Sequence, residues 1–389
     1  GQKLDLYSFH EVGPGMVFYH HKGMILKNQL EDFWRKEHLK KGYQEINTPI
    51  ILNKELWEIS GHWEHFKDNM FFTRVEDRDF AIKPMNCPGA ILVYKTKSRS
   101  YKELPLRLAE LGLVSRSELS GVLSGMFRLR TFVQDDAHIF TAPEQLKDEI
   151  INIVDLVDYF YKTFGFEYSV ELSTRPEVAM GSKEMWDQAE DALKEALKMK
   201  NMEYKLNPGA GAFYGPKIDF HIKDSLGRNW QCATVQVDFA MPERFKLSYI
   251  AEDGKERTPV IIHRVIYGAI ERFMAILVEH YQGKFPVWLS PIQVRVIPVS
   301  DKNFEYARKI EEKIKKEGIR AEGDYEQNTV EYKIREAQLQ KIPYMVVIGD
   351  KEEKSDTLAV RSREGKVTYS VELKNCLLYT SPSPRDRQK

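Results

Sequence analysis

The sequence predicts a two-part protein in which helices and strands mix throughout, with a large N-terminal part followed by a small α/β domain. Three observations carry this expectation. From about Leu4 to Gly283, long amphipathic helical stretches alternate with strand-like runs. "KFPVWLSP", residues 284–291, then places two prolines close together and reads as a linker. Beyond it come "IQVRVIPVS", a helix from about Asn303 to Glu317 closed by Gly318, "IRAEGD", a helix near Val330 to Gln340, "YMVVIGD", "TLAVRSREG" and "KVTYSVEL". That alternation of β and α argues for a small domain built on a largely parallel sheet.

Composition bounds the function. A chain of 389 residues, 42% hydrophobic and 30% charged, has enough apolar residues for two or three domains with substantial cores. Its 58 basic and 58 acidic residues cancel, so any nucleic-acid binding has to come from local patches. Cys87, Cys232 and Cys376 are too few and too scattered for a disulfide framework, which points to a reducing, cytoplasmic setting. No run of 18 apolar residues is present, so no membrane partner is expected. The chain begins at Gly1, and a missing upstream segment is expected.

The C-terminal stretch "CLLYTSPSPRDRQK", residues 376–389, breaks the composition abruptly. A disordered basic tail is one reading. The favoured one is that Cys376 to Asp386 is similar to an in-frame translation of a common transposase sequencing adapter, so the tail is excluded from fold reasoning. The expected divisions are therefore 1–284, 285–375 and a non-native tail, 376–389.

Within the large part, Thr141-Ala-Pro-Glu144 reads as a capping box opening a helix. Leu146, Ile150, Ile153, Val157 and Phe160 form its apolar face, and Gly165 ends it. The segment before it, "QDDAHIF", residues 134–140, sets ionisable groups into apolar surroundings. Strand alternation puts Arg128, Arg130, Phe132, Gln134, Asp136, His138 and Phe140 on one face, with Asp135 on the other. Upstream, a strand ending near Glu118 and a loop holding Gly121 and Gly125 complete a hairpin. Arginines at such a mouth suit a polyphosphate, because guanidinium meets phosphate oxygens in pairs. A solvated hairpin with surface arginines is the plainer alternative. A second segment, "TPVIIHRVIYGAIERFMAILVEHYQG", runs from strand into helix, with Gly268 near the helix start and Arg272 one turn later.

Together these segments resemble the class II aminoacyl-tRNA synthetases. "GYQEINTP" with Pro49, the Arg116–Arg130 hairpin and the Gly268–Arg272 segment stand in the order of that class's three motifs. "SGHWEHFKDNMF", "IKPMNCPGA", "LPLRLAELG", "FYGPKIDF", "WQCATVQVDF" and "KIREAQLQKIPYMVVIGDKE" are similar to threonyl-tRNA synthetases in particular, over roughly residues 3–375. The resemblance implies an α+β class II synthetase catalytic domain, an antiparallel sheet flanked by helices, followed by a small α/β anticodon-binding domain. It also implies a ligase that joins L-threonine to tRNA(Thr) with ATP and Mg²⁺, working as a homodimer with Pro49 near the interface.

Residue by residue, the resemblance implies that Cys87, His138 and His263 hold a zinc ion. Their spacings, 51 and 125 residues, form no zinc pattern by themselves. Such a ligand set leaves open positions, which in the family take the amino and hydroxyl groups of threonine. An apolar pocket separates threonine from near-isosteric valine by only about a hundredfold, whereas a site that engages the hydroxyl reaches about 10⁴–10⁵. Serine lacks one methyl, worth about 10–200-fold, so mischarging with serine is expected unless editing, usually carried in an N-terminal domain of the family, is supplied elsewhere. Arg116 and Arg128 are implied phosphate contacts, Arg272 a γ-phosphate contact, and Glu118 an adenine-reading carboxylate. Asp136 would hold the substrate ammonium, with Met85, Gln134, Tyr214, Lys217 and Gln236 around the amino acid and Gln231 and Thr234 toward the nucleotide. Arg116, Arg272 and Lys217 are the catalytic expectations. His62 would lie near the tRNA acceptor end, and Lys351, Glu352 and Arg361 in anticodon-reading neighbourhoods.

The sequence departs from the family in places. Arg116-Ser-Glu-Leu119 stands where Arg-Asn-Glu-Pro is common, Ala90 and Ala269 where His and Ser are common, and Ala233 where Gly is common. The usual last helix of the anticodon domain is expected to be lost to the tail. A synthetase-like RNA-binding or regulatory module without aminoacylation is the alternative; it is disfavoured because Arg116, Arg272 and the three zinc ligands are all present. A zinc hydrolase is disfavoured because no His-Glu-x-x-His occurs.

Overall fold

A computed structural model describes residues 1–380. Its contacts divide the chain into two compact units, one formed by Phe9–Val17 and Phe33–Ile276, the other by Gly1–Ser8, Phe18–Asp32 and the chain from Leu277 onward.

The first unit is built on an eight-stranded sheet. In spatial order its strands are Lys205–Asn207, Tyr168–Ser173, Lys217–Lys223, Asn229–Asp238, Val260–Ala269, Thr131–Thr141, Leu106–Ser115 and Gln44–Glu45. Every pairing among the six inner strands is antiparallel, and only the two short edge strands pair in parallel. The antiparallel sheet expected of a class II synthetase core is thus present. Val260–Ala269 is apolar apart from His263, Arg264 and the Tyr267 hydroxyl, and nine of its ten residues are buried, as befits a strand covered on both faces.

Helix Leu146–Phe164 packs on the sheet through the apolar face expected of it, and Gly165 closes it at φ 73°. Tyr161 fastens that helix down: its hydroxyl donates to the Ile266 carbonyl at 3.0 Å and accepts the Ala233 N–H at 2.7 Å. The helix opens differently from the expected Thr141–Glu144 box. A 3₁₀ turn, Pro143–Gln145, precedes it, and the side chain of Gln145, not Glu144, returns to the Ala142 N–H at 3.0 Å.

The strand expected to carry Arg128 to His138 begins only at Thr131, and its partner ends at Ser115, before Glu118. Residues 116–130 form the intervening loop. Gly268 lies in the strand, not the helix; helix Ile270–His280 starts two residues later.

In the second unit, a five-stranded sheet runs Ala321–Gly323, Val294–Pro298, Tyr344–Ile348, Leu358–Ser362, Val367–Val371. Its first two pairings are parallel and its last two antiparallel, so it is mixed rather than largely parallel. The connections decide this: helices Phe304–Lys316 and Val330–Leu339 supply parallel crossovers, whereas the nine residues 349–357 and the four residues 363–366 that join the last three strands are too short for one. The expected linker is ordered as well. Val287–Leu289 is a 3₁₀ turn, and Phe285, Trp288 and Leu289 are buried.

Helix Leu373–Thr380 crosses the composition break at Cys376, contrary to the expectation that the last helix is lost. Leu373, Cys376 and Leu377 share one helical face on the core of this unit, which gives those residues a reason to fold. Residues 381–389 of the expected tail lie outside the described residues.

Candidate functional site

The site sits on one face of three neighbouring strands, Thr131–Thr141, Val260–Ala269 and Asn229–Asp238. Their register sets His138 directly opposite His263, and His263 opposite Gln236. The two imidazole rings meet edge-on at 4.9 Å. Cys87 approaches from the first turn of helix Cys87–Tyr94. One ligand atom from each of Cys87, His138 and His263 lies within 4.8 Å of the others, and all three residues are buried.

The donor set fits zinc. Bonds of about 2.0–2.3 Å in a tetrahedron would bring these atoms to roughly 3.5 Å apart and leave a position open, a closure within reach of side-chain adjustment. Burial holds His138 well below the usual histidine range, in the neutral form a metal requires. Burial, with Asp136 and Asp238 nearby, pushes the Cys87 thiol well up, so its proton leaves only when a cation takes its place. His263 is oriented from behind: its Nε2 is 2.9 Å from Asp238 Oδ2, leaving Nδ1 free to ligate. Asp238 is itself held by the N–H groups of Ala240 and Met241, at 2.8 and 2.9 Å. Such carboxylate–histidine pairs fix tautomer and ring angle at metal sites.

A cavity of about 330 Å³ extends from this cluster. Of the expected residues, Met85, Cys87, Arg116, Gln134, Asp136, His138, Tyr214, Lys217, Gln231, Thr234, Gln236 and His263 all line it. A second cavity, of about 160 Å³, is lined by Arg116, Glu118, Arg128, Gln134, Gln231, Thr234, Gly268, Ala269 and Arg272 among others. Arg116, Gln134, Gln231 and Thr234 belong to both, so the two form one trough.

Charge is graded along that trough. Burial pushes the Asp136 carboxyl up to about 6, against the pull of His263 and of Asn86, whose Nδ2 donates to it at 3.2 Å. Arg116 lies between the rings of Phe66 and Phe132, at 5.7 and 5.2 Å, and donates through Nε to the Pro84 carbonyl at 3.2 Å. Arg272 stacks over Trp230 at 5.6 Å and donates to the carbonyls of Phe127 and Gln231 at 2.9 and 2.7 Å. Burial lowers both arginines from their ordinary values, yet guanidinium stays charged in proteins. Glu118 and Arg128 pair with each other, with Nε and Nη2 at 3.1 and 2.9 Å from one carboxylate oxygen.

Other expected residues stand differently. His62 is fully buried, with Nδ1 2.8 Å from Ser60 Oγ, Nε2 2.9 Å from Met85 Sδ and Nε2 3.9 Å from Cys87 Sγ. Burial lowers its pKa to about 3, with the charges of His263 and Arg116 adding to the effect. In the second unit, Lys351 is exposed, while Glu352 accepts the Gly349 N–H at 3.1 Å and so caps its own helix, Asp350–Ser355. Arg361 is half-buried opposite Met345, its Nε without a partner among the described residues.

Residues 71–281 match the tRNA synthetase class II core domain (G, H, P, S and T), and residues 293–379 match the anticodon binding domain. The threonine–tRNA ligase of Caldanaerobacter subterraneus subsp. tengcongensis is 61% identical over 375 residues, covering 96% of this chain and 58% of that protein. That of Carboxydothermus hydrogenoformans is 62% identical over 363 residues, covering 93% and 57%. The crystal structure of the RNA binding domain of threonyl-tRNA synthetase from Cryptosporidium parvum Iowa II superposes with a TM-score of 0.96 at 43% identity, over 98% of each chain. The chain belongs to the threonyl-tRNA synthetase family. A putative threonyl-tRNA synthetase, ThrRS-1, from Aeropyrum pernix also superposes, with a TM-score of 0.85 at 30% identity over 97% of this chain and 93% of that one. The chain spans somewhat over half the length of the curated relatives it matches, 57–58%.

Within this synthetase-family core, two carboxylates escaped the sequence reading. Asp238 sits two residues beyond Gln236, and Asp219 two beyond Lys217, so strand alternation carried the signal for both. Asp219 Oδ2 is 2.7 Å from Lys217 Nζ, and its Oδ1 accepts from Thr234 Oγ1 at 2.8 Å and Gln231 Nε2 at 2.5 Å. Among the described residues, no helix is long and apolar enough to cross a membrane.

Proposed function

We propose that this chain attaches L-threonine to tRNA(Thr) in two steps driven by ATP and Mg²⁺, with zinc on Cys87, His138 and His263 selecting the amino acid. The observation that carries this reading is the order of groups along one trough: the Cys/His cluster with Asp136 in the larger cavity, Arg116 where the two cavities join, and Arg272 in the smaller one. That order matches an amino acid lying against a triphosphate.

In the first step the threonine carboxylate attacks the α-phosphorus of ATP in line, forming threonyl-adenylate and releasing pyrophosphate. Asp136 holds the substrate ammonium: its carboxylate lines the larger cavity, with Oδ1 4.0 Å from His138 Nε2. Arg116 neutralises charge at the α-phosphate, Arg128 makes a further phosphate contact, and Arg272 takes the γ-phosphate end. Catalysis of this kind rests on positioning and on fixed charge where charge develops. Met85, Gln134, Tyr214, Lys217 and Gln236 surround the amino acid; Glu118, Gln231 and Thr234 face the nucleotide. Bound zinc would supply a Lewis-acid contact for the amino and hydroxyl groups of threonine. In the second step the terminal ribose hydroxyl of tRNA attacks the adenylate carbonyl and AMP leaves, with His62 beside the reacting end. Lys351, Glu352 and Arg361 belong to the proposed anticodon-reading surface. A homodimer and a cytoplasmic location complete the reading.

ATP–pyrophosphate exchange tests it. Exchange is expected with threonine, absent with valine, about 10–200-fold weaker with serine, and lost in Cys87→Ser. Exchange that ignores both the side-chain hydroxyl and the cysteine would overturn the reading.

A further inference from the structure

We infer that Asp219 is a positioning residue that holds one wall of the trough in register, where its amino-acid and nucleotide ends meet. It lines neither cavity and is almost fully buried, on the same strand face as Lys217, and it draws donors from three strands. Oδ2 takes the ammonium of Lys217 at 2.7 Å and lies 3.5 Å from Ser173 Oγ. Oδ1 takes Thr234 Oγ1 at 2.8 Å and Gln231 Nε2 at 2.5 Å. Lys217, Gln231 and Thr234 all line the larger cavity.

A carboxylate offers about four lone-pair sites; three close donors take three of them, and Ser173 Oγ stands 3.5 Å away. Lining neither cavity, Asp219 acts through its neighbours. Its geometry is set by the sheet: Asp219 stands opposite Thr234 on one side and Glu171 on the other, and Lys217 lies two residues away on the same face. An ammonium has three N–H donors, and tying one to Asp219 aims the other two of Lys217 into the cavity. Gln231 has its carboxamide fixed in the same way, with its nitrogen turned toward Asp219 and its oxygen left for a ligand. One carboxylate thus orients three cavity-lining side chains at once.

This inference rests on the proposed threonine activation and is tested so that the two fail separately. Asp219→Asn keeps the shape but turns one oxygen into an amino group, which faces donors whichever way it points. Binding of a non-reactive threonyl-sulfamoyl adenylate is measured by calorimetry for the parent chain, Asp219→Asn, Lys217→Met and the double variant. Asp219→Asn is expected to weaken binding by about tenfold or more and to slow adenylate formation by about a hundredfold, the cost of a misplacement near 1 Å. The double variant is expected to lose less affinity than the product of the two single losses, because the part of the Asp219 effect that runs through Lys217 is already gone in Lys217→Met. Asp219→Glu, which keeps the charge, is expected to restore part of the affinity; it also carries the test if Asp219→Asn does not fold. Parental affinity in Asp219→Asn, or losses that simply multiply in the double variant, would overturn the inference while leaving the activity intact. A parent chain that does not bind the analogue would overturn both.

Discussion

Asp135 and Asp136 are neighbours with opposite duties. The Asp135 carboxylate is fully buried on the face away from the site and accepts the N–H groups of Ile266, Tyr267 and Gly268 at 2.9–3.2 Å. Burial pushes it up to about 7, with Arg264 and those N–H groups pulling the other way. Asp135→Ala would strand three buried donors, each costing about 1–3 kcal/mol, and is expected to lower the melting temperature markedly. Asp136→Ala is expected to abolish threonine-dependent exchange at a nearly unchanged melting temperature. Calorimetry and the exchange assay on the same two variants check the contrast, and equal melting losses would refute it. Asp238 makes a third residue-scale claim. Asp238→Asn removes the charged partner of His263 Nε2 and is expected to lower zinc affinity by about 10–100-fold, read by competition with a chromophoric chelator; unchanged affinity would refute the orienting role.

At the scale of elements, the junction of strand Val260–Ala269 with helix Ile270–His280 shapes the proposed nucleotide end. The strand's pairing with Thr131–Thr141 slips between Val265 and Ala269, and the Asp135 carboxylate clamps that irregularity. Gly268 makes it possible: its φ is +77°, and an added Cβ would fall 2.6 Å from the Cys232 carbonyl oxygen. Gly268→Ala is therefore expected to cost about 1–3 kcal/mol in backbone strain and, by shifting Arg272 one turn on, to raise the KM for ATP. Thermal melts and exchange kinetics test this, and wild-type values for both would rule it out. The sequence marked Gly268 and Arg272 as a pair. Their placement across a strand end depended on the slip, which no local pattern announces.

For the whole molecule, the proposed homodimer has a surface to use. Ile50 and Ile51 follow Pro49 and are 44% and 51% exposed. Ile51 begins a small sheet with Arg78–Ile82 and Phe71–Val75 on which Phe72 and Val75 are also exposed. Apolar residues gathered in this way mark an interface more often than bare surface. Sedimentation is expected to show a dimer of the 45.4 kDa chain, and Ile51→Asp to shift it toward monomer without loss of circular dichroism. A parent chain that stays monomeric at tens of micromolar would refute the claim. Equal numbers of acidic and basic residues mean that the proposed tRNA partner has to be recognised by local patches, whose phosphate contacts weaken as salt rises.

The sequence by itself determined which residues share a face. Period-two alternation placed Gln134, Asp136 and His138 together and Asp135 apart, and apolar periodicity drew helix Leu146–Phe164 to its closing glycine. Both are properties of a single segment, visible without knowing its neighbours. Family resemblance, rather than spacing, pointed to Cys87, His138 and His263, because residues 51 and 125 positions apart carry no local signal. Only the tertiary structure decided that strand register sets His138 against His263 with Cys87 alongside, that Asp219 and Asp238 brace their neighbours from beneath, and that the small domain's sheet is mixed. Pairing register, hydrogen-bond saturation and burial arise between segments, so they come into being when the chain folds.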